Sequence, residues 1–267
     1  MKYNTATKKK LYLGAGLLVA SGIAVVAVLA VSGAFATPAP EHQNLFYHAL
    51  KINGEYVPNG VFTTEWKNFY ERHKRNARTL RLNQEERTDL FFEQVIDRMA
   101  LQEYVYSRAG DAASDERVAA YIEENIGSLY TTREEFNQYL SAEALAGEED
   151  LEREVKFYLA RLAVLPDIAR EKGITLTEAE IEQGKSGKMS RDALLMQKFL
   201  RSPEFVQWTA ELRKNVTVEI LSPAILAFRS FQDGNYNEAA RLYREAYQRY
   251  GVDEFLEKAR ESDRLAK

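Results

Sequence analysis

The sequence has no cysteine and only three histidines. His42, His48 and His73 are all in the first third of the 267 residues. The lack of cysteine excludes disulfides, thiolate zinc sites, iron–sulfur clusters and cysteine nucleophiles. His42 and His48 are six residues apart, which is not the spacing of a helical ligand pair. We therefore predict no metal, no cofactor and no catalytic residues.

The sequence also has no large excess of charge of either sign. It contains 36 Lys and Arg against 40 Asp and Glu, for a formal net charge of -4. A generally basic nucleic-acid binder would need a cationic face, so we predict no nucleic-acid partner. With 45% hydrophobic residues the chain has the composition of a folded protein. Acid pairs such as Glu123-Glu124 are typical of solvated helix faces rather than of acid–base catalysis.

One long apolar run is present near the start of the chain. Residues 11–35 are 25 positions without a charge, and Lys2, Lys8, Lys9 and Lys10 precede them. A helix rising about 1.5 Å per residue makes this run long enough to cross a hydrocarbon core of roughly 30 Å. The lysines place the N-terminus in the cytoplasm and the bulk of the chain outside it. We predict a basic tip and single-pass anchor in the cytoplasmic membrane over residues 1–36, with a spacer over 37–48.

A cleaved signal peptide is the alternative reading of the same segment. Ala34-Phe35-Ala36 has the A-x-A form of a cleavage site. The apolar run is longer than is usual for a signal peptide, which favours the anchor. Both readings place the remaining chain outside the cytoplasm, in the periplasm or an equivalent compartment.

Beyond the spacer the patterns predict a mainly α-helical fold with a small sheet. Residues 49–52 and 55–57 flank Asn53-Gly54, a strong signal for a two-residue β-hairpin turn. Residues 215–221 alternate valine and isoleucine with polar residues, as a strand does. The other segments have helical periodicity, as in 85–107, where the apolar side chains recur three and four residues apart.

Several helix boundaries can also be predicted. Thr132 with Glu135 and Thr177 with Glu180 have the spacing of capping boxes. The apolar stripe that starts at Leu151 is expected to end near Pro166. Residues 184–188, Gly-Lys-Ser-Gly-Lys, are predicted to be a flexible linker. They are not a P-loop, because the first glycine of that motif is missing and a helical pattern precedes them.

The order of the segments along the chain is similar to that of a known family of domains. The hairpin with the letters INGE is followed by LFFEQVIDRMALQEYVYSRAG, SDERVAAYIEENIG, YTTREEFNQYL and GITLTEAEIEQ, and later by WTAELRKNVTVEIL. This order resembles the N-terminal chaperone domain of the SurA/PrsA/PpiD group of exported foldases, here over residues 49–221. The resemblance implies that the strand near residue 218 returns to pair with the N-terminal hairpin.

The chain departs from that group in one important respect. Typical members insert one or two parvulin-type prolyl isomerase domains, each of about a hundred residues, before the closing helix and strand. Here only the predicted linker at 184–188 occupies that place, and no histidine follows His73. The resemblance therefore implies the chaperone domain without the isomerase, and we do not expect an enzyme.

The C-terminal segment, residues 222–267, resembles a tetratricopeptide repeat. Its small and aromatic positions match that repeat at Gly234, Tyr236, Ala239, Tyr243 and Ala246. The pattern predicts two antiparallel helices joined by a turn at residues 233–235 and followed by a third, charged helix. An ordinary helical hairpin is an equal alternative. A single repeat lacks neighbours that would bury its faces, so we expect it to dock on the chaperone domain or on a partner.

Two functions from different classes are consistent with these features. The first is a membrane-anchored, ATP-independent chaperone that binds unfolded or newly translocated polypeptides on an apolar, aromatic surface. The candidate contacts are Trp66, Phe69, Tyr70, Phe91, Tyr104, Tyr106, Tyr139 and Trp208. The alternative is a structural accessory subunit or assembly factor of one membrane protein complex. A chaperone should expose several of these aromatics, whereas a subunit should bury them against a stoichiometric partner. An active isomerase is a further, weaker alternative.

Overall fold

The computed structural model describes residues 48–73, 82–143, 145–187 and 189–267. They form a mainly helical structure with one small sheet, as the sequence predicts. The strands are β1 (Leu50–Ile52), β2 (Glu55–Tyr56) and β3 (Val218–Ile220). The predicted membrane segment, residues 11–35, lies outside the described residues. Within the described ranges, no helix has both the length and the apolar character needed to cross a bilayer.

Eleven α-helices occupy the described ranges. They are α1 (Asn59–His73), α2 (Gln84–Ala109), α3 (Asp115–Asn125), α4 (Arg133–Ala142), α5 (Glu148–Glu171), α6 (Glu178–Ser186), α7 (Arg191–Leu200), α8 (Pro203–Arg213), α9 (Pro223–Gln232), α10 (Tyr236–Tyr250) and α11 (Asp253–Leu265). Short 3-10 turns follow α2 and α3. The helix predicted over 85–107 corresponds to α2, and the predicted third C-terminal helix corresponds to α11.

The described residues divide into two compact units. The helical unit is Ala100–Asn215, and the mixed unit combines residues 48–99 with Val216–Lys267. The first part of α2 belongs to the mixed unit and its last part to the helical unit. The helices that we predicted as a separate domain, 222–267, therefore share a unit with the sheet. The physical reason is that Ile225 of α9 is buried in the same core as the strands and α1.

The sheet of the mixed unit joins the hairpin to the later strand. Asn53 and Gly54 both have positive φ, 51° and 86°, as the predicted two-residue turn requires. The strand order is β2-β1-β3, and β3 runs antiparallel to β1 with Leu50 opposite Ile220. Asn53 extends this pairing, because its backbone N–H donates to the Thr217 carbonyl at 2.8 Å and its side-chain Oδ1 accepts from the Thr217 N–H at 2.7 Å. The predicted hairpin and strand are thus confirmed.

One helix of the helical unit runs past its predicted end. We expected the stripe that starts at Leu151 to stop near Pro166, but α5 continues to Glu171. Proline removes one backbone hydrogen bond and crowds the preceding turn. Burial on both sides of it outweighs that cost, since Leu165 and Ala169 are completely buried.

The predicted flexible linker is also corrected by the structure. The capping box of Thr177 and Glu180 is present, and it starts a helix that runs through Ser186. Gly184 is buried in this helix, where a Cβ atom would lie 2.1 Å from Leu194 Cδ1 on α7. A larger side chain at this position would clash with Leu194, so the glycine allows close packing of α6 against α7 and does not make the chain flexible here. The Thr132 box is only half formed, since Glu135 accepts from Thr131 instead of from the Thr132 backbone.

Candidate functional site

The aromatic residues predicted to form one surface lie in separate groups. Trp66, Phe69 and Phe91 meet in the mixed unit, with the Trp66 and Phe91 ring centroids 5.0 Å apart and those of Phe69 and Phe91 5.8 Å apart. Phe91 is completely buried and Phe69 is 4% exposed, while Trp66 is partly buried. Phe69 and Phe91 are therefore core residues, which corrects their assignment to a binding surface. Tyr70 belongs to α1, but its side chain lies outside the described part.

Trp208 is likewise a core residue, in the helical unit. It is 7% exposed and packs edge-to-face on Tyr104, with ring centroids 5.0 Å apart. Phe199 and Phe205 contact the same indole at 5.7 and 6.0 Å. These four rings hold α7, α8 and the last part of α2 together. Trp208 thus stabilises the unit and lies on no open surface.

Tyr104 and Tyr106 lie closer to the solvent. Both are partly buried. The guanidinium of Arg108 lies 3.7 Å from the centroid of the Tyr104 ring, a cation–π contact. Tyr106 packs edge-to-face on Phe157 at 6.3 Å. Each of these two tyrosines therefore already has a partner for its ring within the helical unit.

Tyr139 belongs to an aromatic cluster that we define as Tyr130, Phe136 and Tyr139. The ring centroids are separated by 5.2 Å (Tyr130 to Tyr139), 5.9 Å (Tyr130 to Phe136) and 6.3 Å (Phe136 to Tyr139). All three side chains are partly buried and pack against the core between α3 and α5. Of these three residues, only Tyr139 was predicted from the sequence as a candidate contact. Its three-residue spacing from Phe136 on α4 was the signal that could have revealed the pair.

The aromatic cluster has an unusual electrostatic environment. Burial raises the pKa of Tyr139 well above its ordinary value of 10, and the nearby Glu143 carboxylate and the hydroxyls of Tyr130 and Tyr121 raise it further. Tyr139 therefore stays neutral at physiological pH. The site offers aromatic ring faces and a nearby carboxylate, which is a combination suited to binding cations.

Large apolar side chains with substantial exposure are few in the described ranges. They are Tyr56 (50%), Leu90 (38%), Val206 (66%) and Leu265 (49%). Each lies on a different element, namely β2, α2, α8 and α11. Single exposed apolar residues are common on folded proteins and do not by themselves mark a binding site.

The C-terminal helices pack as the small and aromatic positions predict. Gly234 adopts a positive φ of 75° at the turn, and Tyr236 opens α10 against Phe231 with ring centroids 5.4 Å apart. Ala239 and Ala246 are completely buried and Tyr243 is 1% exposed. The small residues let α9, α10 and α11 approach closely, and the Tyr243 ring fills the space between them.

An acidic stripe on α2 binds the C-terminal helices. Glu85 accepts hydrogen bonds from the Tyr243 hydroxyl at 2.8 Å and from Lys258 Nζ at 2.6 Å. One and two turns later, Asp89 and Glu93 both pair with Arg229 of α9, with Arg229 Nε 2.6 Å from Asp89 Oδ1. These contacts join the C-terminal helices to α2 within the mixed unit, whereas the expected docking on the chaperone domain or on a partner stays a prediction. The stripe consists of residues four apart, which lie on one face of a helix.

Function has to be inferred from these residues, because no family model, curated protein or solved structure matches the chain.

Proposed function

We propose that this protein is a membrane-anchored, ATP-independent chaperone outside the cytoplasm, which binds unfolded or newly translocated polypeptides and lacks prolyl isomerase activity. The observation that carries the proposal is the pairing of β3 with β1. A strand that follows α8 returns to the N-terminal hairpin across more than 160 residues, with Leu221 N–H donating to the Ala49 carbonyl at 2.8 Å.

This pairing is what the resemblance to the SurA/PrsA/PpiD group implies. In that group the closing strand of the chaperone domain pairs with the N-terminal hairpin, and isomerase domains are inserted before the closing helix. Here α6 ends at Ser186 and α7 begins at Arg191. The connection has room for a turn but not for an inserted domain of about a hundred residues. The order of elements therefore supports a chaperone domain whose chain continues directly into its closing segment.

The predicted anchor gives this activity a location. Residues 11–35 would hold the protein in the membrane, and residues 37–48 would connect it to β1. An extended spacer of this length spans at most about 40 Å. The folded part would then stay close to the membrane surface, where a tether raises its effective concentration toward newly translocated chains.

The proposal is tested by an aggregation assay without ATP. The full chain in lipid nanodiscs is mixed with a chemically denatured client protein that aggregates on dilution, and light scattering is followed. We expect suppression that increases with the chain-to-client ratio, while empty nanodiscs leave scattering unchanged. Scattering that matches the empty nanodiscs at a large excess of the chain would reject the chaperone function.

A second candidate is a structural accessory subunit or assembly factor of one membrane protein complex. The observation that favours it is that the exposed large apolar side chains of the described ranges are scattered and form no continuous surface for many clients. Phe69, Phe91 and Trp208 are core residues, and the exposed large apolar side chains of the described ranges lie on four different elements. A promiscuous chaperone usually offers a larger continuous apolar surface.

The two candidates differ in the stoichiometry of what they bind. A tagged full chain is purified from its own membranes in mild detergent, and the associated proteins are quantified by mass spectrometry. Many exported proteins in small, variable amounts would support the chaperone. One or a few proteins at near-equal stoichiometry would reject it in favour of the accessory subunit.

A further inference from the structure

Strand β3 lies at an edge of the small sheet. The strand order is β2-β1-β3, so β1 lies on one side of β3 and no strand of the described ranges lies on the other. The N–H of Leu221 and the carbonyl of Thr217 both form hydrogen bonds toward the β1 side. In an antiparallel pair, the backbone groups of successive residues point to alternate sides of the strand. The N–H and C=O groups of Val218 and Ile220 therefore point away from β1.

These outward backbone groups are open to a further strand. In the part of the chain that the structure describes, neither Val218 nor Ile220 forms a hydrogen bond to an element other than β1. Such an edge is a template for strand addition, a mode in which many folded domains bind extended peptides. The side chains of the same two residues are partly buried and pack against the core of the mixed unit. An added strand would thus find both backbone partners and an apolar contact here.

The opposite face of the sheet has an ordered row of side chains. Lys51 of β1 lies opposite both Tyr56 of β2 and Glu219 of β3. Lys51 Nζ is 4.8 Å from the centroid of the Tyr56 ring and 3.5 Å from Glu219 Oε2. Glu219 ends the row at the open edge, where its side chain is 56% exposed. Because opposite charges on neighbouring strands stabilise a sheet, a strand added beside β3 is favoured when a Lys or Arg lies opposite Glu219.

We propose that β3 binds extended segments of unfolded polypeptides as a fourth strand of the sheet. The segment has the pattern apolar–basic–apolar, with its apolar residues beside Val218 and Ile220 and its Lys or Arg opposite Glu219. The backbone hydrogen bonds hold segments of many sequences, and so short an edge lets them dissociate. The inference rests on the proposed chaperone function, and it names the site and the class of segment that binds there.

A second copy of the chain fits this edge less well than such a segment does. When two β3 strands pair antiparallel over their whole length, Glu219 of one copy lies directly opposite Glu219 of the other. Like charges in directly opposite positions destabilise a sheet. The charge at the edge therefore favours a basic segment over self-association.

The test compares two labelled peptides of identical composition on the full chain in nanodiscs of neutral lipid. Both have the sequence Ser-Thr-Val-Lys-Val-Thr-Ser with a single backbone N-methyl group, on the first valine in one peptide and on the lysine in the other. In the proposed pairing the valine N–H faces β3 and the lysine N–H faces away from it. By fluorescence anisotropy, we expect methylation of the valine to weaken binding at least about tenfold and methylation of the lysine less than about threefold. Equal binding of the two isomers would overturn strand addition, because apolar contact alone does not distinguish them.

The charge at the edge is tested with the unmethylated peptide and an analogue that has glutamate in place of lysine. We expect the wild type to prefer the lysine peptide about fivefold, and Glu219→Gln to reduce the preference below about twofold. Glu55→Gln is the matched control, since it removes one exposed acid from β2 at the other edge of the sheet. A preference that Glu219→Gln leaves unchanged would contradict the proposed pairing.

Proline substitutions at the two edges locate the binding. Val218→Pro removes an N–H that points away from β1, so the pairing of β1 with β3 is kept. Val57 N–H donates to the Leu50 carbonyl, so the Tyr56 N–H on β2 also points away from β1, and Tyr56→Pro is the matched control. We expect Val218→Pro to weaken the lysine peptide at least about tenfold and Tyr56→Pro less than about twofold, with both variants folded by circular dichroism. Equal effects would overturn the assignment to β3. The isomeric peptides and Glu219→Gln test the same edge without changing the backbone of the protein.

Failure of this site and failure of the chaperone function give different results. If Val218→Pro loses the peptide but suppresses aggregation as well as the wild type, β3 is rejected as the client site and the chaperone function stands. Selective peptide binding by a wild type that suppresses no aggregation would reject the chaperone function and leave β3 as a docking edge for a partner protein. A wild type that is dimeric in detergent, with Val218→Pro monomeric, would show that a second copy occupies the edge and would overturn the proposal.

Discussion

Glu65 of α1 and Arg98 of α2 form a buried ion pair in the mixed unit. Arg98 Nη1 donates to Glu65 Oε1 at 2.6 Å, and the two side chains are 5% and 10% exposed. Gln94 Nε2 donates to the other carboxylate oxygen at 2.8 Å, and Asn68 Nδ2 donates at 3.3 Å. The carboxylate is therefore satisfied on both oxygens, which a buried charge requires.

Removing one member of this pair should be strongly destabilising. Arg98→Ala leaves the Glu65 carboxylate buried without its counter-charge, and we expect a loss of about 3–5 kcal/mol in the free energy of unfolding. Urea titration measures the change. The double variant Glu65→Leu with Arg98→Met should recover most of it, because an apolar pair removes both charges. Arg241→Ala, which breaks an exposed pair with Glu238 in the same unit, is the control and should leave the midpoint nearly unchanged.

The same pair predicts a pH dependence. Burial raises the pKa of Glu65, but the Arg98 charge and the hydrogen bonds from Gln94, Arg98 and Asn68 outweigh it, so the pKa lies below its ordinary value of 4.5. The unfolded chain then binds the proton more readily than the folded one. The contribution of Glu65 is present above about pH 4.5 and is lost as pH falls through the lower folded-state pKa.

The pH dependence due to Glu65 is obtained by comparing the unfolding free energy of the wild type with that of a variant that lacks the ion pair. Urea unfolding of the wild type and of the Glu65→Leu/Arg98→Met double variant is compared between about pH 7 and pH 3. The wild type should lose more stability below pH 4.5 than the double variant does. Parallel curves would show that Glu65 has an ordinary pKa in the folded protein.

Tyr243 should contribute to stability through its hydroxyl. The ring is 1% exposed, and the hydroxyl donates to Glu85 at 2.8 Å. Tyr243→Phe keeps the packing and removes a hydrogen bond to a charged group, so we expect a loss of about 1.5–3 kcal/mol in thermal or urea unfolding. Tyr247→Phe on the same helix is the control. Its hydroxyl has no hydrogen bond within the described ranges, and a similar loss there would contradict the role of Glu85.

Asn53 should stabilise the small sheet in two ways, through the conformation of the hairpin turn and through a side-chain hydrogen bond to the chain just before β3. It holds a positive φ of 51° and accepts the Thr217 N–H on its side chain. Asn53→Gly keeps the turn conformation but loses the side-chain bond, at a cost of about 1 kcal/mol. Asn53→Ala loses both and should cost about 2 kcal/mol or more. Equal losses in urea unfolding would show that only the hydrogen bond matters.

Local patterns of the sequence were sufficient to predict most elements of this fold. The Asn53-Gly54 turn needs positive φ at both residues, and few other sequences meet that requirement. The Thr177 capping box and the small residues of α10 are equally local signals. In contrast, the continuation of α5 past Pro166 and of α6 through Gly184 depends on burial against other helices, which no local pattern contains.

The candidate site was harder to predict for a related reason. Aromatic residues at helical spacing serve cores and surfaces alike, so the sequence could not separate Phe91, which is completely buried, from Tyr139, which is partly buried. The aromatic cluster also includes Tyr130, which precedes α4 and is not part of that helix. The three- and four-residue spacing of helical side chains therefore does not predict its contact with Phe136 and Tyr139. The proximity of Tyr130 to Phe136 arises from the path of the chain between α3 and α4.

Phe91 provides a direct test of whether the buried aromatics act in binding or in folding. It is completely buried and contacts Trp66, Phe69, Phe62 and Phe92 at ring distances of 5.0 to 6.3 Å. Phe91→Ala should cost about 3–5 kcal/mol in unfolding free energy, and Phe91→Leu should cost less because it keeps most of the volume. Aggregation suppression should then fall only in proportion to the unfolded fraction measured at the assay temperature. A Phe91→Leu protein that is fully folded by circular dichroism but no longer suppresses aggregation would show instead that this ring becomes accessible to clients.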